Sequence, residues 1–107
     1  MVQLIRQQRH FLQLLLLTTS AQRKALLHTI TRPQLRALSQ IAHNILKFKI
    51  RLTPSEKKRL KRQRRLVYLL GSRKVGYQQK KVAIGDKQRL IYTLVKIASV
   101  YLESTLQ

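Results

Sequence analysis

The chain has 107 residues, 23 of them Lys or Arg against three Asp or Glu, and a formal charge of +20 at pH 7. With 44% hydrophobic residues it is too apolar for a disordered basic tail, so residues 1–107 are expected to fold as one domain that wears its charge outside. The absence of Cys excludes a disulfide framework and a thiolate metal site.

Few strand signals are present, and the apolar spacing is helical along most of the chain. Val2 to Thr18 reads as a first helix with Leu4, Ile5, Phe11, Leu12, Leu15 and Leu16 on its apolar side. Its longest apolar stretch, Phe11 to Leu17 interrupted by Gln13, falls far short of the ~20 residues a membrane-spanning helix needs. Arg6 and Arg9 precede that stretch as in a signal peptide. No small-residue cleavage site follows, however, and Thr18-Thr19-Ser20 leads into another helical pattern, so a cleaved leader is not expected.

Ser20 is the expected N-cap of a second helix, Ala21 to Ile30, burying Leu26, Leu27 and Ile30. Thr31 caps a third, with Pro33 in the first turn, where a missing N–H costs nothing. Leu35, Leu38, Ile41, Ala42, Ile45 and Leu46 form its core stripe, leaving Arg36, Gln40, His43 and Asn44 to the other side. Lys47 to Leu52 alternates polar and apolar residues. Six residues without a partner make a poor sheet, so the expectation is an extended linker tucking in Phe48, Ile50 and Leu52.

Thr53-Pro54-Ser55-Glu56 has the form of a capping box with Pro at the first helical position. It opens a fourth helix expected to run to about Leu70, with Gly71 as the left-handed residue beyond its end. Ser72 to Gly76 connects to a short fifth helix, Tyr77 to Ile84, closed by Gly85. Asp86 then caps a last helix, Lys87 to about Thr105, whose Leu90, Ile91, Leu94, Val95, Ile97, Ala98, Tyr101 and Leu102 form a broad apolar face. The expected fold class is all-α, a compact orthogonal bundle of five or six short helices.

Ten of the nineteen residues from Lys47 to Arg65 are basic. Lys47, Lys49 and Arg51 lead into Lys57, Lys58, Arg59, Lys61, Arg62, Arg64 and Arg65, with Glu56 as the single acid. A merely solvated helix usually mixes signs, because like charges one turn apart each cost a few tenths of a kcal/mol. Here Lys57/Lys61, Lys58/Arg62 and Lys61/Arg65 are all like pairs, an arrangement that phosphates would relieve. Further cations recur near helix ends: Arg23-Lys24, Arg32/Arg36, Arg73-Lys74, Lys80-Lys81 and Lys87/Arg89. The contacts expected for nucleic acid are the ten residues of the run together with Arg73 and Lys74. Base reading would want Asn, Gln or Arg held at base edges; Gln63 and Arg64 are the only hints, so backbone contacts are the default. The stretch KKRLKRQRR, Lys57 to Arg65, also has the form of a nuclear import signal.

Other chemistry finds little support. His10, His28 and His43 fall on three different helices without Cys or carboxylate patterns, so no metal or other cofactor is expected. Glu56 and Asp86 have capping duties, Glu103 is near the C-terminus, and no nucleophile accompanies a base at a recognisable spacing. An enzyme is not expected. Tyr68 and Tyr77 flank basic residues and invite base stacking, but core packing is the simpler duty for the aromatics.

Residues Ile30 to Val75 carry a resemblance. Ile30, Thr31, Gln34, Leu35, Ala37, Leu38, Ile41, Ala42 and Asn44-Ile45-Leu46-Lys47 make one motif, Leu52-Thr53, Lys57-Lys58 and Leu60-Lys61 a second, and Leu70, Ser72 and Lys74-Val75 a third. In these the segment resembles small basic proteins of Polinton/Maverick-type elements and adintovirus-like DNA viruses. The resemblance covers under half the chain and its motifs are moderately specific. It implies a virion core or DNA-condensing role, in the virion or host nucleus. After Tyr77 the chain departs from that family: where its members continue to a Gly-Gly-Phe-Leu-like apolar tail, Gly85-Asp86 here begins an amphipathic helix. Tail-dependent roles such as membrane disruption therefore do not carry over.

The leading expectation is a non-enzymatic, histone-like intracellular protein that binds duplex DNA with little sequence preference. A homodimer through the wide apolar faces of the first and last helices is a further expectation. An RNA-binding structural protein of ribosomal type is the second reading. A membrane-active amphipathic protein, motivated by Phe11 to Leu17 beside Arg6 and Arg9, is a third, with membrane the less expected partner.

Overall fold

The computed structural model describes residues 2–47 and 52–106, and the side chains of 3–47 and 52–100. Eight α-helices occupy these residues: α1 Val2–Gln7, α2 Arg9–Leu17, α3 Ser20–His28, α4 Arg32–Leu46, α5 Pro54–Arg62, α6 Arg64–Gly71, α7 Tyr77–Ile84 and α8 Gln88–Leu106. No strand is found among the described residues. The described residues are all-α, as the periodicity predicts, but form eight helices rather than five or six. Residues 48–51, and with them Phe48, Lys49, Ile50, Arg51 and the expected linker, lie outside the described residues; Leu52 does pack against the core.

Three helices open on the same device. Thr19, Thr31 and Thr53 each accept from the amide three residues on, at 3.2, 3.4 and 3.2 Å, while Gln22, Gln34 and Glu56 return a side-chain oxygen to the threonine amide at 2.9, 2.9 and 2.8 Å. Two otherwise orphaned amides are satisfied at each start. The first box corrects the expected cap of α3 from Ser20 to Thr19. The last helix also starts later than expected. The Lys87 carbonyl accepts its first bond, from Ile91 at 3.1 Å, so Lys87 is at the cap position and Asp86 precedes it.

The first and fourth expected helices are each broken at a glutamine. Gln8 (φ −103°, ψ 23°) separates α1 from α2, and Gln63 (φ −109°, ψ 26°) separates α5 from α6. In both, the amide bonds back three residues, to Ile5 at 3.2 Å and to Leu60 at 3.1 Å, a local 3₁₀ tightening. The apolar stripe explains the place. Between Ile5 and Leu12, and between Leu60 and Val67, the turn that should face the core carries Gln8-Arg9 and Gln63-Arg64. Nothing holds the helix to the core there, and the two halves turn to different neighbours. Ile5 is buried where α1 meets α4, while Phe11, Leu12 and Leu15 are buried on α2, which meets α8.

The central element is α4. It meets α1, α6, α7 and α8 and buries Leu35, Ala37, Leu38, Ile41, Ala42 and Ile45. Asn44, expected on the polar side, is buried as well, and its Oδ1 accepts from the side-chain Nε2 of Gln40 at 2.8 Å. The radius of gyration, 12.6 Å, is that of a compact domain of this length, about 13 Å. No helix among the described residues is long and apolar enough to cross a membrane. Much of the first and last helices' apolar surface is used inside one chain, where α2 meets α8. A homodimer would have to be built on what remains exposed, which includes Leu14, Leu17 and Val100.

Gly71 has a different duty from the one its sequence position implies. It is the last residue of α6, buried against α4, and not a left-handed residue beyond the helix end. A Cβ there would stand 3.1 Å from the His43 amide nitrogen and from Leu46 Cδ1, and 3.3 Å from the Ala42 carbonyl carbon. Leu46 can rotate away; the α4 backbone cannot. Overpacking of this kind costs ~1–3 kcal/mol, against about 1 kcal/mol gained from the better helix propensity of Ala. Gly71→Ala is therefore expected to destabilise the fold by about 1 kcal/mol, and Gly71→Val by more, read as a lowered urea midpoint. An unchanged midpoint in both variants would show that the α4–α6 contact yields freely.

Candidate nucleic-acid interface

The Thr53 capping box starts α5 in the middle of the basic run, so every cation of that helix has a fixed helical position. Apart from Leu60, α5 buries nothing, and it meets the rest of the fold chiefly through α6. Lys57, Lys58, Arg59, Lys61 and Arg62 are all exposed, as are Arg64 and Arg65 at the start of α6. Leu60 is the one residue α5 buries, which leaves its other faces free for charge; α6 buries Val67, Leu70 and Gly71 and carries Arg64 and Arg65 in its exposed first turn.

The break at Gln63 changes how that charge is presented. Lys57/Lys61 and Lys58/Arg62 remain one turn apart on α5, while Lys61/Arg65 spans the bend. Two open depressions adjoin there, of about 700 and 610 Å³, sharing Arg62, Gln63 and Lys87. The first brings Arg59 and Arg62 beside Lys87 and Arg89 of the α7–α8 junction, with Asp86 as its carboxylate; the second adds Lys61, Arg64 and Arg65. Residues some twenty-five positions apart in sequence thus line one surface. Lys87 and Arg89 read in the sequence only as a secondary basic pair, and only the turn of the chain at Gly85 places them beside α5.

The other expected contacts are dispersed. Lys47 is exposed at the end of α4, Lys74 is exposed in the connector after α6, and Lys49 and Arg51 lie outside the described residues. Arg73 is exposed but lines a different recess, together with Arg32 and Arg36, that shares no lining residue with the two depressions.

Two basic residues are part of the scaffold. Arg23 donates to the Thr18 carbonyl at 2.7 Å and to Gln88 Oε1 at 2.8 Å, and its guanidinium carbon lies 4.5 Å from the centroid of the Tyr92 ring. It closes the end of α2 and ties α3 to α8. Lys80 is buried, its Nζ 3.1 Å from Ser39 Oγ. The spacing held a signal for both: Arg23 with Leu27 and Ile30, and Lys80 with Tyr77 and Ile84, follow the i, i+3, i+4, i+7 stripe that faces a core.

Of the aromatics, Tyr77 is half-buried and its hydroxyl donates to the Ile30 carbonyl at 2.6 Å, a packing duty. Tyr68 is 52% exposed, with Arg64 over its ring at 5.6 Å. Among the described residues it is the exposed aromatic nearest the basic run, one ring rather than a stacking platform. No group of three or more His, Asp or Glu among the described residues is placed to hold a metal.

Compared with protein-family models, curated proteins and solved structures, the chain matches none.

Burial pushes the Lys80 ammonium below the ordinary lysine value of 10.5, because desolvation penalises the charged form. At neutral pH the charge therefore works against folding. As pH rises from the lowered value towards 10.5, the folded chain loses a proton that the unfolded chain keeps, and stability rises. Lys80→Met is expected to raise the melting temperature at neutral pH, with its advantage over wild type shrinking as pH approaches 10.5. An advantage independent of pH would mean that burial of the charge carries no penalty.

Proposed function

We propose that this is a non-enzymatic nucleic-acid-binding protein that engages duplex DNA through its phosphates, with a histone-like role in packaging DNA in a virion core or nucleus. The observation that supports it most is the surface around Gln63, where the exposed cations of α5 and α6 meet Lys87 and Arg89 with Asp86 as the carboxylate on the rim. A small neutral substrate gains nothing from such a surface; a polyanion gains from every cation it touches, by releasing its own condensed counterions.

The duplex is favoured over structured RNA on the likeness of Ile30 to Val75 to the core-type proteins of Polinton/Maverick-type elements and adintovirus-like viruses. Non-specific binding follows from the residue types. Arg and Lys dominate the surface, and rigid Asn or Gln side chains that could report base identity are scarce beside Gln63.

Seven or eight neutralised phosphates give a dependence of log affinity on log salt with a slope near ~−7. Lys58, Arg62 and Arg65 are exposed, so their joint replacement by Gln should leave the fold intact. The triple variant is expected to bind all duplex sequences more weakly and to flatten the slope by about three, measured by fluorescence anisotropy at several salt concentrations with duplex DNA, structured RNA and anionic vesicles in parallel. Lost discrimination between sequences at an unchanged slope would mean base reading. Tight vesicle binding with feeble nucleic-acid binding would overturn the proposal.

A further inference from the structure

A second feature of the molecule has its own chemistry. Between α4, the connector after α6 and α7 lies a recess of about 390 Å³, within the ~300–1,000 Å³ range of small-molecule sites. Its floor carries Lys80, 8% exposed, and its rim carries Arg32, Arg36 and Arg73. No carboxylate among the described residues lines it.

Buried lysines are ordinarily paired. The Lys80 ammonium has three N–H donors, and its hydrogen bond to Ser39 Oγ at 3.1 Å occupies one. Two remain in a site whose other charged side chains are cations. Arg32 is held in place as well. Tyr77 is tethered by its hydroxyl to the Ile30 carbonyl at 2.6 Å, and the Arg32 guanidinium carbon lies 4.8 Å from the centroid of its ring. A desolvated ammonium, a positioned guanidinium and two further rim guanidiniums form an arrangement with an energetic deficit that an anion removes.

We propose that this recess binds a phosphomonoester: the terminal phosphate of a free nucleotide or of a nucleic-acid strand end. A monoester phosphate carries close to two negative charges near neutrality and three terminal oxygens, and its single substituent lets it enter end-on to reach Lys80. A mid-strand phosphodiester has one charge and a substituent on each side, which holds it at the rim. Arginine forks suit phosphate oxygens in pairs, and the lysine supplies a point charge beneath. The site is independent of the duplex-binding surface, so either proposal can fail alone.

Calorimetric titration at matched ionic strength tests it, using inorganic phosphate, adenosine 5′-monophosphate, and two short single strands that differ only in a 5′-phosphate or 5′-hydroxyl. One saturable site per chain is expected, weakened about tenfold or more by Lys80→Met and by Arg36→Gln and retained in the Lys58/Arg62/Arg65→Gln protein. Lys80→Met should fold at least as well as wild type, and the exposed Arg36 gives a second variant that leaves the core untouched. Binding of phosphate or the mononucleotide identifies a free ligand; preference for the phosphorylated strand alone identifies a strand end. Either outcome supports the site. Absence of saturable binding by every phosphate-bearing probe, or binding unchanged in both variants, overturns it.

Discussion

A chain with twenty more positive charges than negative ones cannot be knitted together by ion pairs, and that constraint reaches every level of the structure. Three acids are too few to cap eight helices and to oppose 23 cations. Two of the three capping boxes therefore close with Gln rather than Glu, satisfying amides without adding charge. What holds the chain is apolar: Leu15, Leu27, Leu38, Ile41, Leu70, Ile84, Ile91 and Leu94 are fully buried, each contributing about 1.5–3 kcal/mol relative to exposure. The close approach of α6 to α4 at Gly71 belongs to the same economy of neutral contacts, since a tight backbone approach adds dispersion where charge adds only repulsion.

The same imbalance separates the cations by duty. Arg23 is spent on the end of α2 and on Tyr92, with its charge partly covered. Lys80 is drawn into the body, where desolvation penalises its charged form. The cations of α5 are free because that helix buries only Leu60, those of α6 because they lie in its exposed first turn, and the surface at the Gln63 bend sets them beside Lys87 and Arg89. Self-repulsion among them opposes compaction, and a polyanion lying across them would turn that repulsion into attraction. The proposed function thus follows from the cost of the fold as much as from any motif.

Much of this was legible in the residues. The stripe of α4, the Thr53 capping box and the span of α7 all follow from local spacing and cap chemistry, which depend on near neighbours only. What spacing hid were the places where two local rules compete. Gln8 and Gln63 lie in otherwise continuous helical runs, and helix propensity alone carries the helix through them. The decisive signal was the lapse of the apolar stripe for one turn, which matters only when each half has its own partner in the core. Gly71 misled for a related reason: glycine after a helix usually supplies a left-handed turn, but here the absent Cβ serves a contact with a helix some twenty-five residues earlier. For the candidate site, the cations of α5 were readable as a cluster, whereas the company of Lys87 and Arg89, and the separation of Arg73 into another recess, required the fold.

A charge of +20 strains the folded body, and the proposed function has phosphates relieve that strain. Its most direct measure is the unfolding midpoint of the purified chain in dilute buffer, alone, with added NaCl, and with duplex DNA or RNA. NaCl alone is expected to raise the midpoint by screening, duplex to raise it further by binding the folded state, and the increment from duplex to fade as salt rises. A midpoint indifferent to DNA and RNA alike at low salt would contradict it.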